Sequence, residues 1–224
     1  MPEILISGPE GRIEARYHAA EDPSAPVALV LHPHPLHGGT MNNKVAYLTY
    51  KMFSDKGFNV MRFNFRGVGQ SEGSYGDGEG ELTDAAAMID WLQSTFPNAR
   101  SYFVAGFSFG AWIAMQLLMR RPEVQGFIAI APPANKYDFS FLAPCPVSGM
   151  IIHGDKDEIV PYSHVEQLAD RLSKQRGLYI DFRTIHDADH FFRDKMEKLA
   201  CHLSEHMESL ISPEYQPIKM VANM

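Results

Sequence analysis

Short runs of β-type residues alternate with longer helical patterns along almost the whole of this chain. This alternation is typical of a mostly parallel sheet with helices packed on both faces. The run Val27–Leu31 is apolar at every position, as expected of a central strand that is buried on both sides. No repeat, linker or low-complexity segment divides the 224 residues, a length that is ordinary for one α/β domain. The sequence therefore predicts a single three-layer α/β domain over residues 1–224.

Eight strands and five helices are predicted from the pattern. The first two strands flank a turn at residues 8–11 and are expected to form an antiparallel hairpin at the sheet edge. Residues 132–146 have no clear periodicity and are too few for a lid domain, so we expect at most a small flap there. Residues 213–224 are expected to form a loosely held tail. In chain order the predicted elements are strands Glu3–Ser7, Arg12–His18 and Val27–Leu31, helix Met41–Lys56, strand Asn59–Asn64, helix Gly80–Phe96, strand Ser101–Ala105, helix Phe109–Arg120, strands Phe127–Ala131 and Ser148–His153, helix Tyr162–Lys174, strand Tyr179–Ile185 and helix Phe192–Ile211.

Ser108 is the central residue of a Gly-x-Ser-x-Gly pattern at residues 106–110. The pattern lies between a predicted strand and a predicted apolar helix, so Ser108 falls at a strand-to-helix turn. A serine at such a turn adopts a strained backbone conformation that exposes its hydroxyl above the sheet. The free N–H groups and the positive dipole end of the helix favour negative charge that develops beside it. Because the pattern also occurs by chance as a helix entry without chemistry, further residues are needed to support a catalytic role.

A serine hydroxyl needs a base to activate it, and the base needs an acid to orient it. In a sheet of this type, the acid and then the histidine follow the serine, each in the loop after a later strand. The loop after the seventh predicted strand contains Asp155 and Asp157, and the loop after the eighth contains His186 and His190. His186 falls at the end of its strand, too early to reach across to the serine. The residues therefore favour His190 as the base and leave two candidates for the acid.

Over nearly its full length, the sequence resembles the α/β-hydrolase superfamily. It is similar in particular to small, lid-less bacterial members of the dienelactone hydrolase and prolyl-oligopeptidase-like group. In that family the acid stands in a His-Gly-x-x-Asp-x-x-Val-Pro pattern, which matches residues 153–161 and selects Asp157. The resemblance leaves Asp155 to brace the turn, as short carboxylates do. It also implies an α/β-hydrolase fold with a mostly parallel eight-stranded sheet and no large lid.

The histidine of the family lies in a Gly-x-Asp-His-Phe-like turn, which matches Asp189, His190 and Phe191. Asp187 stands where a glycine is common in the family. The resemblance thus implies a catalytic triad in which His190 acts with the serine and the acid identified above. Such a triad requires no cofactor and no metal.

An oxyanion hole should accompany the triad. One donor is expected to be the backbone N–H of Phe109, the residue after the nucleophile. The resemblance places the second donor in the His-Pro-His-Pro loop after the strand Val27–Leu31. Aligning His32 with the histidine of the family makes the amide of His34 the donor. Its neighbours Pro33 and Pro35 have no N–H to donate.

His32, His34 and His37 also permit a different interpretation. Their His-x-His-x-x-His spacing after a strand superficially resembles the start of a metallo-hydrolase zinc site. That motif has an Asp before the last histidine, and Leu36 occupies this position. A metal site is therefore the weaker alternative.

Four apolar residues near the candidate nucleophile are predicted to line the substrate pocket. Ordinary core packing is the alternative for each of them. They are Leu36, Met41, Phe107 and Phe191.

Composition restricts the partners of the protein. The net charge is −7 and the 20 lysines and arginines are scattered, which argues against nucleic acid. The apolar runs are too short to span a bilayer, and residues 1–12 show no signal peptide. We therefore expect a cytoplasmic protein with no membrane partner. The edge hairpin and the C-terminal helix are candidate contact surfaces for a homodimer.

The predicted function is that of a serine hydrolase that acts on a small-molecule acyl substrate through an acyl-enzyme. A carboxylesterase for short or medium acyl esters is the first hypothesis. A peptidase or a thioesterase would use the same triad. A non-catalytic binding protein that retains the fold is an alternative of another class.

Overall fold

Eight strands form one sheet in the computed structural model, which describes residues 3–212. They lie in the order β1-β2-β4-β3-β5-β6-β7-β8 across the sheet. β1 pairs with β2 and β2 with β4 in antiparallel fashion, and the remaining neighbours pair in parallel. The predicted mostly parallel sheet with an antiparallel edge hairpin is confirmed. The strands are β1 (Glu3–Gly8), β2 (Gly11–His18), β3 (Val27–Leu31), β4 (Asn59–Phe63), β5 (Tyr102–Phe107), β6 (Val124–Ile130), β7 (Gly149–Gly154) and β8 (Ile180–Ile185).

Helices cover both faces of this sheet. They are α1 (Lys44–Asp55), α2 (Glu79–Thr95), α3 (Phe109–Leu118), α4 (Tyr162–Ser173) and α5 (Met196–Ile211). Side chains of α2, α3 and α4 share one apolar core with the sheet, and those of α1 and α5 share a second. Alternate residues of β3 enter the two cores, since Leu29 belongs to the first and Val30 to the second. The three-layer arrangement is therefore as predicted.

The first helix begins later than predicted. It starts at Lys44 rather than Met41, and its N-cap is Asn43 rather than Thr40. The Asn43 side chain accepts hydrogen bonds from two amides of the first turn at 3.0 and 3.3 Å. Gly57 follows the end of the helix with a φ of 77°, a conformation that glycine adopts at little cost.

The C-terminal helix also begins later than predicted. It starts at Met196 rather than Phe192. Phe192 and Asp194 have positive φ angles of 54° and 56°, which a right-handed helix excludes. This loop therefore remains irregular for several residues after His190, the candidate base.

The aperiodic segment 132–146 folds against the body of the molecule. Phe139 and Leu142 are buried in the core that α2, α3 and α4 share. The ring of Tyr137 stacks on Trp112 of α3 with centroids 4.2 Å apart. The segment is thus a fixed cover of modest size, and the absence of a large lid agrees with the prediction.

The predicted loose tail, residues 213–224, lies outside the described residues. Within residues 3–212, no helix combines the length and the apolar character that a membrane span requires. The cytoplasmic location expected from the sequence stays a prediction.

Candidate active site

Ser108 lies between the last residue of β5 and the first residue of α3. Its φ of 54° and ψ of −119° lie in a region that residues with a side chain rarely adopt. The flanking glycines permit this turn: a Cβ on Gly106 would clash with the carbonyl oxygen of Gly110. A Cβ on Gly110 would clash with the carbonyl oxygen of Leu31, at the end of β3. The sharp turn therefore needs both glycines of the pattern.

His190 connects Ser108 to Asp157. Its Nε2 lies 3.0 Å from the Oγ of Ser108, and its Nδ1 lies 2.6 Å from the Oδ2 of Asp157. An ionised carboxylate only accepts hydrogen bonds, so Nδ1 carries the proton and Nε2 is left to accept the serine proton. Asp157 and His190 are both buried, 6% and 5% exposed, which shields the hydrogen bonds from water. The three residues predicted to form a triad are thus brought into hydrogen-bonding order.

The environment of Asp157 keeps it ionised. Burial acts to raise its pKa, but hydrogen bonds from His190 and Val160 outweigh burial, and the net pKa lies below the usual value. Its Oδ1 accepts the amides of Ile159 and Val160 at 2.9 and 2.7 Å. These backbone bonds fix the carboxylate and leave Oδ2 for the histidine.

His153 packs behind the acid. Its Nε2 lies 2.9 Å from the carbonyl oxygen of Val160 and 3.7 Å from Oδ2 of Asp157. Burial lowers the pKa of His153, so the ring is neutral at neutral pH and donates its Nε2 proton to that carbonyl. His153, the histidine of the family pattern, therefore links the two ends of the loop that carries Asp157.

The two rival residues bind one another instead. His186 Nδ1 lies 2.9 Å from Oδ2 of Asp155, and the amide of Asp187 donates to the other carboxylate oxygen at 2.7 Å. The His186 side chain is 81% exposed. Asp155 thus braces the turn before the candidate base. It also stabilises Asp187, whose φ of 56° explains why glycine is common at that position in the family.

The oxyanion role of the Phe109 and His34 amides stays a prediction. Both residues line the cavity that contains Ser108. Phe109 is the first residue of α3, so its N–H has no partner within the helix. The His34 ring lies 4.8 Å from the Phe109 ring, so the two side chains pack together beside the cavity. A Cβ on Gly39 would clash with the carbonyl oxygen of Pro33, so the loop closes tightly around His34.

The three loop histidines do not fit a metal site. Nε2 of His32 accepts the amide of Phe65 at 3.0 Å, and its Nδ1 lies 2.6 Å from the carbonyl of Pro33. Burial lowers the pKa of His32 to about 3, so the ring is a neutral brace. His34 uses Nδ1 to accept the amide of Leu36 at 3.2 Å. Among residues 3–212 no group of three or more His, Cys, Asp or Glu could hold a metal ion.

A cavity of about 380 Å³ opens at Ser108. One side of it is apolar and adjoins His190, and the other side carries rings and a cation next to the His34 loop. Its wall consists of Pro33, His34, His37, Gly38, Gly39, Asn43, Ser108, Phe109, Pro133, Lys136, Tyr137, Ile159, Val160, His190 and Phe191.

Of the four residues predicted to line this cavity, Phe191 does so. The prediction is wrong for the other three. Met41 is buried, and its amide donates to Oδ1 of Asn64 at 2.7 Å. Phe107 is also buried, with its ring 5.2 Å from the ring of His190, so it supports the base from behind. Leu36 is 66% exposed and lies outside the wall.

Several wall residues were not anticipated from the sequence. Pro133, Lys136 and Tyr137 belong to the aperiodic segment after β6. Because loops at the carboxyl ends of parallel strands meet at one edge of the sheet, the position of this segment was the available signal. Asn43 was missed because the helix was predicted to begin before it.

Comparison with known proteins places the chain in a family. Residues 27–148 match a family model described as serine aminopeptidase, S33, and residues 125–209 match the prolyl oligopeptidase family. A lid-less α/β serine hydrolase from Xanthomonas campestris is 31% identical, with a TM-score of 0.83 and 96% of both chains covered. The chain belongs to the α/β-hydrolase superfamily. This α/β hydrolase thus has the fold and the broad class of activity that its sequence predicts.

Two other relatives are more similar in sequence to this α/β hydrolase. A protein of unknown function from Agrobacterium tumefaciens is 50% identical, with a TM-score of 0.92, and 95% of this chain and 98% of that chain are covered. An uncharacterized protein of Rickettsia prowazekii is 55% identical over 95% of this chain and 91% of its own length.

A more distant relative has a named activity. It is the lysophosphatidylserine lipase of Xenopus tropicalis, which is 25% identical over 80% of this chain. The match spans 55% of the length of that lipase.

Proposed function

We propose that this α/β hydrolase is a carboxylesterase for short or medium acyl esters. The observation that carries the proposal is the hydrogen-bonded order of Ser108, His190 and Asp157, with separations of 3.0 and 2.6 Å. Ser108 and His190 lie together with Phe109 and His34 in the wall of one cavity. A nucleophile, a base, an orienting acid and two donors are the parts that acyl transfer requires.

The first half of the reaction forms an acyl-enzyme. His190 removes the proton of Ser108 through Nε2 while Oγ attacks the ester carbonyl carbon. The carbonyl oxygen becomes negative and accepts hydrogen bonds from the amides of Phe109 and His34. His190, whose positive charge Asp157 stabilises, then gives the proton to the leaving oxygen, and the alcohol departs.

The second half of the reaction releases the carboxylic acid product. A water molecule gives its proton to His190 and attacks the acyl carbon bound to Ser108. The same two amides donate hydrogen bonds to the new oxyanion. His190 returns the proton to Oγ as the acyl–enzyme bond breaks, so the enzyme is restored.

The size of the cavity supports small acyl groups. Its volume of about 380 Å³ is near the lower end of the range for ligand sites. The relative named as a lysophosphatidylserine lipase supports an ester substrate.

The aminopeptidase form of the peptidase alternative has a specific observation against it. An aminopeptidase must bind the positively charged amino group of its substrate, and a carboxylate is the usual partner for such a charge. The cavity wall formed by the described residues contains no Asp or Glu. A thioesterase would meet no such obstacle, so thioesters belong in the test.

The test is hydrolysis of p-nitrophenyl acetate and butyrate, with an acyl thioester and an aminoacyl p-nitroanilide as comparators. We expect turnover of the two esters, and a loss of about 10³-fold or more in kcat for Ser108→Ala. Ser94→Ala is the matched control, because Ser94 is exposed on α2 and outside the cavity wall. Near-native activity of Ser108→Ala, or hydrolysis of the anilide alone, would contradict the proposal.

A further inference from the structure

The cavity wall differs in charge from the protein as a whole. The chain carries a net charge of −7, yet the cavity wall in the described residues has no carboxylate. Its ionisable side chains are Lys136, Tyr137 and the histidines His34, His37 and His190. A cationic wall on an acidic protein indicates a ligand group of negative charge.

Lys136 is available to bind such a group. Its side chain is exposed, and across residues 3–212 no carboxylate oxygen lies within ion-pair distance of its Nζ. The pKa of His34 is lowered first by burial and then by the charges of His37 and Lys136. Lys136 is therefore close enough to His34 to affect the pKa of that ring. The ring centroids of His34 and His37 are 4.6 Å apart, so both histidines lie on the same side of the cavity.

The backbone that carries Lys136 is fixed. Its amide donates to the carbonyl of Pro133 at 3.0 Å. On one side, Asn135 Nδ2 donates to the carbonyl of Ile159 at 3.0 Å, and on the other side Tyr137 stacks on Trp112. The backbone of Lys136 is therefore in place at the cavity wall before any ligand arrives, so binding has to order only its side chain.

The position of His190 decides which half of an ester meets this cation. His190 must protonate the leaving oxygen, so the alcohol lies on its side of Ser108, where the ring of Phe191 is 5.2 Å from the ring of His190. The acyl chain then extends away from His190, and Lys136 is the lysine of the cavity wall that can meet its far end. The cation thus faces the distal end of the acyl group.

We propose that the preferred substrates are esters whose acyl part ends in a carboxylate, such as half-esters of dicarboxylic acids. Lys136 Nζ binds the distal carboxylate, with His37 beside it, while Ser108 attacks the ester carbonyl. The inference rests on the proposed esterase function and specifies its substrate class. In the reaction the acyl C–O bond breaks, water supplies OH to the acyl carbon and H to the alcohol, and a dicarboxylate is released.

The experiment compares two esters that differ only at the far end of the acyl chain. They are p-nitrophenyl hexanoate and mono-p-nitrophenyl adipate, both with six acyl carbons, and the spontaneous rate of each is subtracted. We expect kcat/KM to be about tenfold higher for the adipate at low salt. The preference should shrink in 0.5 M NaCl, because salt screens an exposed ion pair.

Variants of Lys136 test the assignment. Lys136→Gln should lower the adipate-to-hexanoate ratio about tenfold, mainly through a higher KM for the adipate, and Lys136→Arg should retain most of the ratio. Lys51→Gln removes the same charge from the surface of α1 and should leave the ratio as in the native protein. Thermal unfolding of each variant checks that it is folded, as expected for an exposed side chain.

The outcomes separate the two proposals. Hydrolysis of neither ester would overturn the esterase function and the inference with it. Hydrolysis of the hexanoate at least as well as the adipate, or a ratio that Lys136→Gln does not change, would overturn the inference alone.

Discussion

His32 supports the loop that carries the amide of His34. Both of its ring nitrogens bind backbone groups, the amide of Phe65 and the carbonyl of Pro33. These bonds require the neutral ring, since Nε2 must accept. Burial accordingly lowers the pKa of His32 to about 3. The loop that carries His34 therefore depends on a histidine, His32, that stays unprotonated.

This dependence predicts how stability varies with pH. Unfolded His32 binds a proton below its ordinary pKa of about 6.5, whereas the folded residue does so only near pH 3. The contribution of His32 to the free energy of unfolding is thus complete above pH 6.5 and decreases as the pH falls toward 3. At pH 5 the loss should reach about 2 kcal/mol. His32→Gln, whose amide can serve both backbone groups, should remove this dependence.

Urea unfolding at pH 7 and pH 5 measures the effect. The native protein should lose about 2 kcal/mol more between these pH values than His32→Gln does. The buried His153 is present in both proteins, so its titration cancels in the comparison. Equal losses in the two proteins would contradict the role given to His32.

At the residue scale, the sequence predicts the positions of the candidate catalytic side chains better than the positions of the apolar pocket residues. The order serine, acid, histidine along the chain, together with the family patterns, predicts Ser108, Asp157 and His190. In the structure His190 lies within hydrogen-bonding distance of both Ser108 and Asp157. Met41 and Phe107 are predicted to line the pocket because they are apolar residues expected near the nucleophile. Whether an apolar side chain turns toward a cavity or the core depends on tertiary packing, which the pattern does not contain.

The contact between α3 and the end of β3 matters most at the element scale. Gly110 in the first turn of α3 lies against the carbonyl oxygens of Leu31 and His32. These oxygens belong to backbone that cannot rotate away. The close approach sets the spacing between the amide of Phe109 at the helix start and the amide of His34 in the loop.

Gly110→Ala should therefore damage catalysis as well as stability. The added Cβ would separate α3 from the loop, lowering kcat for p-nitrophenyl acetate by about tenfold or more. The free energy of unfolding should fall by about 1–3 kcal/mol. Gly57→Ala is the matched control: its Cβ meets open space, and its φ of 77° should cost only about 1 kcal/mol. A kcat for Gly110→Ala within twofold of native would contradict this account of the turn.

The elements themselves were largely predictable, and their ends were not. Buried strands such as β3 are continuous apolar runs, so the sequence predicts their number and their positions along the chain. The starts of α1 and α5 depend on the capping by Asn43 and on the positive φ of Asp194, which are local choices of side-chain bonding and backbone. The packing of residues 132–146 depends on contacts with α3 that no periodicity records.

At the scale of the whole molecule, loops from widely separated parts of the chain form one site. Ser108 follows β5, Asp157 follows β7 and His190 follows β8, while His34 lies in the loop after β3. Parallel pairing brings the carboxyl ends of these strands to one edge of the sheet. The predicted homodimer and the exclusion of nucleic acid remain predictions at this scale.

The most direct test of the central claim is covalent labelling of the native protein by a fluorophosphonate, read by intact mass and peptide mapping. The reagent forms a stable adduct only with a serine that a neighbouring base activates. We predict one adduct per chain, located on Ser108, and no adduct in Ser108→Ala. A native protein that stays unlabelled, or that carries its adduct on another residue, would contradict the assignment of Ser108 as the nucleophile.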